Sequence, residues 1–284
     1  MTSALVLGGG GVTGIAWETG MLYGLEQLGV NLRTAGRLVG TSAGSTVAAQ
    51  LASGTSLEQL FAAQRDGAVT ERAASLGAAG IFRLVSTLAF ARDRERALRT
   101  LGAASLARST PEQATARRDV IRQRVPVNEW PDSDLRIPAV EVETGRLRVF
   151  TAADGVPLVD AVAASCAVPL VWPPIEIQGR HYIDGGLPFV ANVQLAAGCD
   201  PVVVLAPIAG GIGRGTSVRA QLSGLEPRPR SLSVSPDRTA RRALGRNSLD
   251  PAARRASAIA GYEQAARVAP ALRDFVRGAG LARR

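Results

Sequence analysis

The pentapeptide Gly40-Thr41-Ser42-Ala43-Gly44 sets a serine between two glycines. A short apolar run, Gly36 to Gly40, precedes it, and a run of small residues, Ser45 to Ala52, follows. Ser42 therefore falls between an expected strand and an expected helix. In that context GxSxG forms a nucleophile elbow: the glycines permit a sharp, strained turn, and the helix directs its positive end at the exposed hydroxyl. Without the context, the pattern would be an ordinary turn.

A serine hydroxyl attacks a carbonyl only when a base takes its proton. His181 is the single histidine, and it precedes rather than follows the nearby acid Asp184. If Arg180 to Asp184 is a strand, the odd separation of His181 and Asp184 puts them on opposite faces, so the histidine is expected to be structural or exposed. A carboxylate in direct contact with the serine is then the remaining base. Asp184-Gly185-Gly186 follows a short apolar strand and enters a glycine turn that allows close approach, whereas Asp160, Glu141 and Glu18 lack that setting. Alone, Asp-Gly-Gly reads as a turn.

Ester hydrolysis also needs donors for an oxyanion. The turn Gly8-Gly9-Gly10-Gly11-Val12-Thr13-Gly14 can present successive backbone amides at a helix N-terminus. The same segment satisfies GxGxxG at Gly9, Gly11 and Gly14, so dinucleotide binding is a competing reading. That reading requires an acid about twenty residues on, and positions 30–41 contain none.

These residues must be held by a scaffold. Residues 3–8 read as a buried strand and 14–29 as a helix; Gly36 to Gly40 and Ser45 to Ala52 repeat the alternation, which indicates an α/β fold with a mostly parallel sheet. Residues 56–125 read as helices and loops. Within them, apolar Ile81, Phe82, Leu84, Val85, Leu88 and Phe90 lie before a charged run, Arg92 to Arg96. The stretch 75–110 has the composition of a lid, or of a helical hairpin packed on the core, within a helical insertion over 75–125. Leu135 to Val142 and Arg146 to Thr151 read as a hairpin, Pro157 to Ala164 as a helix, Pro201 to Ala206 as a last buried strand, 209–228 as a loop and 249–278 as a helix opened by Asp250-Pro251.

The 284 residues suit one domain, with 46% hydrophobic content to build its core. No run is long enough to cross a membrane and no basic leader precedes the first apolar run, which predicts a cytoplasmic protein. Cys166 and Cys199 are too few for a disulfide framework or a metal site. The net charge of +9 is concentrated at the C-terminus, where residues 210–284 carry 15 Arg against 5 acids. This basic region, 209–284, is expected to pack on the core. Its clusters suit either solvated helix faces or peripheral contact with anionic headgroups. Nucleic acid is disfavoured because the arginines lack interleaved aromatics.

The glycine turn, the serine elbow and Asp-Gly-Gly, in this order and without a usable histidine, resemble the patatin-like phospholipase family. Ala164-Ser165-Cys166-Ala167-Val168-Pro169, Trp172-Pro173-Pro174 and Ser248 to Arg255 look like further segments of it. The resemblance covers roughly residues 4–60 and 135–265. It implies a three-layer α/β sandwich with a mostly parallel central sheet and a lipid acyl hydrolase, of phospholipase A or lysophospholipase type, with no cofactor or metal. It further implies Ser42 as nucleophile, Asp184 as base, Gly9, Gly10 and Gly11 as oxyanion-hole glycines, and Gly14, Gly40, Gly44, Gly185 and Gly186 as motif glycines. Thr13 departs from the pattern, since family members often carry Arg or Lys there. That departure keeps open a catalytically silent lipid-binding protein.

Overall fold

The computed structural model describes residues 2–67, 86–125, 127–187, 189–213 and 215–277. Its centre is an eight-stranded sheet: β1 (Ala4–Leu7), β2 (Arg37–Gly40), β3 (Asp134–Glu141), β4 (Leu147–Phe150), β5 (Ile175–Ile177), β6 (Arg180–Asp184), β7 (Val202–Leu205) and β8 (Ser231–Val234). Their order is β5-β6-β3-β2-β1-β7-β8, with β4 also on β3. Strands β3, β2, β1, β7 and β8 run parallel, and β4, β5 and β6 add antiparallel pairs at one side. β1 and β7 are buried along their whole length, as expected of parallel strands covered on both faces.

Helices α1 (Gly11–Gln27), α2 (Ala43–Ala52), α3 (Leu57–Asp66), α4 (Arg94–Leu106), α5 (Pro111–Arg124), α6 (Leu158–Ser165), α7 (Val218–Ser223), α8 (Arg238–Leu244) and α9 (Arg254–Arg277) form the outer layers. Alternating sheet residues separate two cores. Leu5, Leu7, Leu38, Leu135 and Val203 pack with α1, α2, α6 and α9, while Ala4, Val6, Val39, Val202 and Val204 pack with Val193, Ala196 and Val218. α1 is buried almost all round because α9 lies against it. A side chain at Gly20 or Gly261 would collide with the facing helix's backbone, and Trp17 Nε1 donates to Gln264 at 3.1 Å.

The structure departs from the expectations in three places. α1 starts at Gly11 rather than at Gly14, its first turn supported from outside by the Thr13 amide donating to Ser248 O at 3.1 Å. The 209–228 segment is not all loop: Ser217 caps α7, its hydroxyl accepting from the Ala220 amide. Two strands were not foreseen, β5 with three residues and β8 with the half-polar sequence Ser-Leu-Ser-Val. Within the 75–110 stretch, Leu98 and Leu101 of α4 pack with Leu88 on Val140, Val142 and Ile183. Residues 75–85, including Ile81 to Val85, lie outside the described residues. α8 and α9 contribute Ala240, Leu244, Ala260, Ala265, Ala269 and Leu272 to the larger core, and Arg230 and Arg267 pair with Asp200 and Asp237. Among the described residues, no helix is long and apolar enough to cross a membrane.

Candidate active site

β1 pairs with β2 on one side and β7 on the other, so the chain order reverses at β1. The crevice at the carboxyl ends of such strands is where α/β sheets bind ligands. The glycine turn leaves the end of β1, and Ser42 leaves the end of β2. Ser42 has φ 52 and ψ −118, a left-handed conformation unusual for serine. Such strain is of order 1–3 kcal/mol, and three buried groups oppose its relaxation. The Ser42 amide donates to Ser165 Oγ at 3.0 Å, while Ser45 Oγ and Cys166 Sγ donate to the Ser42 carbonyl at 2.6 and 3.1 Å. At Gly44, the added Cβ of any other residue would strike the Leu7 carbonyl, which explains why the elbow closes against β1 only with glycine there.

Asp184 ends β6, whose antiparallel pairing with β3 brings it beside Ala139. Ser42 Oγ donates to Asp184 Oδ2 at 2.7 Å, and the Gly186 amide donates to Oδ1 at 2.7 Å. Asn192 braces this turn, its amide donating to Gly185 O and Phe189 O at 2.9 Å and to Thr41 Oγ1 at 3.2 Å. Burial pushes the Asp184 carboxyl from 3.8 up to about 6; hydrogen bonds from Ser42 and Gly186, then the charge of Arg117, oppose it. A carboxylate so placed is a stronger base than an exposed one and is still mostly ionised at neutral pH. His181 lies elsewhere, half-exposed on β6, with Nδ1 2.9 Å from Glu143.

Ser42, Asp184, Gly9, Gly10, Gly11 and Gly186 line one cavity of about 250 Å³, whose further wall is mainly apolar, with Val12, Ile15, Val190 and Leu249. Of the three glycines expected to offer amides, Gly9 has its N–H engaged with Val190 O at 2.7 Å. Gly10 and Gly11 open α1, where amides have no carbonyl a turn earlier in the helix. Gly40, Gly44 and Gly185 pack against backbone and Gly14 against the Pro207 and Ala43 side chains, around the cavity instead of lining it. Thr13 is fully buried and does not line the cavity.

Sequence reasoning missed Arg117 and Arg124, which also line the cavity. Nothing in their local pattern signals burial. It had singled out neither Ser165 nor Asn192 as a support. Glu18 was set aside, yet it is fully buried. Neither of its carboxyl oxygens reaches a partner at hydrogen-bonding geometry, and burial pushes its pKa well above 4.5, with the Gly8 backbone offsetting only part of the rise. Among the described residues, no group of His, Cys, Asp and Glu is arranged to hold a metal.

Sheet, serine turn and apposed carboxylate together define an α/β protein with a candidate site at the carboxyl ends of its central strands. The chain belongs to the patatin-like phospholipase family, which matches residues 5–197; members of that family are lipid hydrolases. No curated protein matches the sequence. Among solved structures, it is similar to VipD from Legionella pneumophila, with TM-score 0.50 and 14% identity over 95% of this chain and 67% of that one. It also matches the type III effector protein ExoU, with TM-score 0.38 and 17% identity over 95% of this chain and 53% of the other. The chain thus spans about two thirds of the first and about half of the second. The likeness to VipD is one of fold.

Proposed function

We propose that the protein hydrolyses a carboxylic ester of a lipid through an acyl-enzyme on Ser42. Asp184 Oδ2 takes the Ser42 proton as Oγ attacks the ester carbonyl carbon. The resulting oxyanion turns toward the amides of Gly10 and Gly11; each such donor is worth about a hundred to a thousandfold in rate. Collapse breaks the ester bond, and the leaving alkoxide recovers the proton from Asp184. Water then loses a proton to the same carboxylate and attacks the acyl carbon, releasing the fatty acid and returning the proton to Ser42. The observation that carries the reading is the 2.7 Å contact between Ser42 Oγ and Asp184 Oδ2 inside a glycine-lined, largely apolar cavity.

Ile208, on the cavity wall, is 45% exposed. This apolar rim gives an acyl chain a path from a lipid surface, so we place substrate entry there.

A fluorophosphonate probe tests the reading. It is expected to label the protein stoichiometrically at Ser42, and Ser42→Ala and Asp184→Asn are each expected to lower p-nitrophenyl butyrate hydrolysis by about a thousandfold or more. His181→Ala is expected to stay within about threefold of the parent, since its partly exposed pair with Glu143 carries little energy. Undiminished turnover in Ser42→Ala rejects the reading; absent labelling with co-purified lipid would make the protein a lipid binder.

A further inference from the structure

Arg117 sits on α5 with only 6% of its surface exposed. Its Nε and Nη1 have no hydrogen-bond partner. Burying an arginine costs several kcal/mol, and leaving its donors unmet adds about 1–3 kcal/mol more. Its visible support is apolar: the guanidinium carbon lies 4.1 Å from the centroid of the Trp172 ring. Stacking of that kind fixes a guanidinium while leaving its N–H edges open.

The position of this pair gives the open edges a use. Arg117 and Trp172 line the catalytic cavity and also a second cavity of about 560 Å³, so they stand on the wall between the two. The two chambers differ in character. Around Ser42 the walls are mainly apolar and suit an acyl chain. The second chamber sets Ser109, Gln113, Arg108 and Arg117 beside apolar Val120, Leu170 and Val171, and has no carboxylate in its lining. In the catalytic chamber Asp184 is the acid of a lining that also holds Arg117 and Arg124. The potential across the shared wall is therefore positive, and a substrate centred on Ser42 would bring its non-acyl part to it.

We infer that the second chamber is a subsite for the anionic part of the substrate, with the buried, unpaired guanidinium of Arg117 binding a phosphate oxyanion and Trp172 holding it in place. The inference rests on the hydrolase reading for its substrate but not for its binding chemistry. A guanidinium binds two phosphate oxygens at once with planar, charge-assisted hydrogen bonds. Thr13, at the position where resemblance led us to expect a base, is buried outside the cavity; Arg117 delivers positive charge to it from a different helix.

Two measurements decide it. In the first, kcat/KM is compared for dihexanoyl phosphatidic acid and dihexanoylglycerol, both below their critical micelle concentrations. The parent protein is expected to prefer the phosphate by tenfold or more. Arg117→Gln should bring the preference within threefold, chiefly through KM, and Arg117→Lys should keep part of it. Arg108 is exposed, so Arg108→Gln does not threaten the fold; it should reduce the preference by two- to threefold. In the second, calorimetry follows octyl phosphate, octanol and inorganic phosphate binding to Ser42→Ala with and without Arg117→Gln. Octyl phosphate should bind at least tenfold more weakly in the double variant, and more tightly than inorganic phosphate in the single one. Inorganic phosphate binding as well as octyl phosphate would make the site one for free phosphate and overturn the headgroup assignment. No preference in the parent, or a preference and a binding constant unchanged by Arg117→Gln and Arg108→Gln, overturns the inference and leaves the hydrolase reading intact. Arg117-dependent binding of octyl phosphate without labelling of Ser42 does the reverse.

Discussion

The backbone amide of Gly186 holds Oδ1 of Asp184 at 2.7 Å, so the carboxylate presents Oδ2 to the Ser42 hydroxyl in one orientation. Asp184 is thus positioned by its own turn, which the Asn192 side chain braces through the Gly185 and Phe189 carbonyls. The glycine after Gly185 is part of that arrangement, since any Cβ at position 186 would lie 3.0 Å from Oδ1.

The pH dependence follows from the burial of Asp184. Its carboxyl is pushed up to about 6, and the proposed base acts only when ionised. Ester hydrolysis should therefore fall as pH drops through about 6, and kcat/KM should report one ionisation there. Arg117 favours the ionised form, so Arg117→Gln should move this limb to higher pH. A rate profile flat down to pH 4 would contradict the role given to Asp184.

Asp184→Asn should exchange activity for stability. A carboxyl whose folded pKa is raised binds its proton more tightly in the native than in the unfolded chain. The stabilisation is complete below the ordinary 3.8 and is lost as pH rises toward about 6. The asparagine variant escapes that loss. Relative to the parent, it should gain on the order of 3 kcal/mol between pH 3.5 and pH 8, read by urea denaturation across that range. Parallel stability curves would show that the aspartate is not desolvated in this way.

Glu18→Gln is expected to act in the same direction away from the site. Burial pushes the Glu18 carboxyl well above 4.5, so the native chain retains a proton that the unfolded chain releases. The variant should match the parent below pH 4.5 and exceed it by a margin that widens with pH above that value, with labelling of Ser42 retained. Thermal melts at several pH values measure the margin. A destabilised variant at pH 8 would mean that the carboxyl has a partner that glutamine cannot replace.

Ser165→Ala should loosen the elbow. The Ser42 amide would lose its acceptor in a buried position, which costs about 1–3 kcal/mol, and the strained φ would lose one of its restraints. We expect a drop in kcat of about tenfold with a stability loss in that range, measured by steady-state kinetics and urea denaturation. Full activity in Ser165→Ala would show that the carbonyl-side contacts from Ser45 and Cys166 suffice.

Much of this architecture was legible because the chain marks it with glycine and with apolar periodicity. Gly40 and Gly44 around Ser42, and the Val-rich run of β7, lead to local structures that tertiary contacts reinforce. Where the reading went short, local pattern and tertiary demand diverge. β8 offers only Leu232 and Val234 as apolar residues, since one of its faces meets solvent. Gly11 begins a helix despite a poor propensity because Ser248 accepts the Thr13 amide. Arg117 lies on a polar helix where only Ile121 shares its buried face, and no spacing rule tells a buried arginine from a solvated one. The encounter of Ser42 with Asp184 came into view through motif resemblance. Spacing alone left Asp-Gly-Gly as a turn.

Strand β3 acts as a common ruler for the two halves of the site. Its first residues, Asp134 to Arg136, run alongside β2, the strand that delivers Ser42, and its later residues, Ala139 to Glu141, run against β6, the strand that delivers Asp184. One residue inserted between these stretches would carry the aspartate about 3.3 Å along the sheet and turn it to the opposite face. The number of residues between these two stretches of β3 is therefore fixed by the meeting of serine and aspartate, whatever the side chains there.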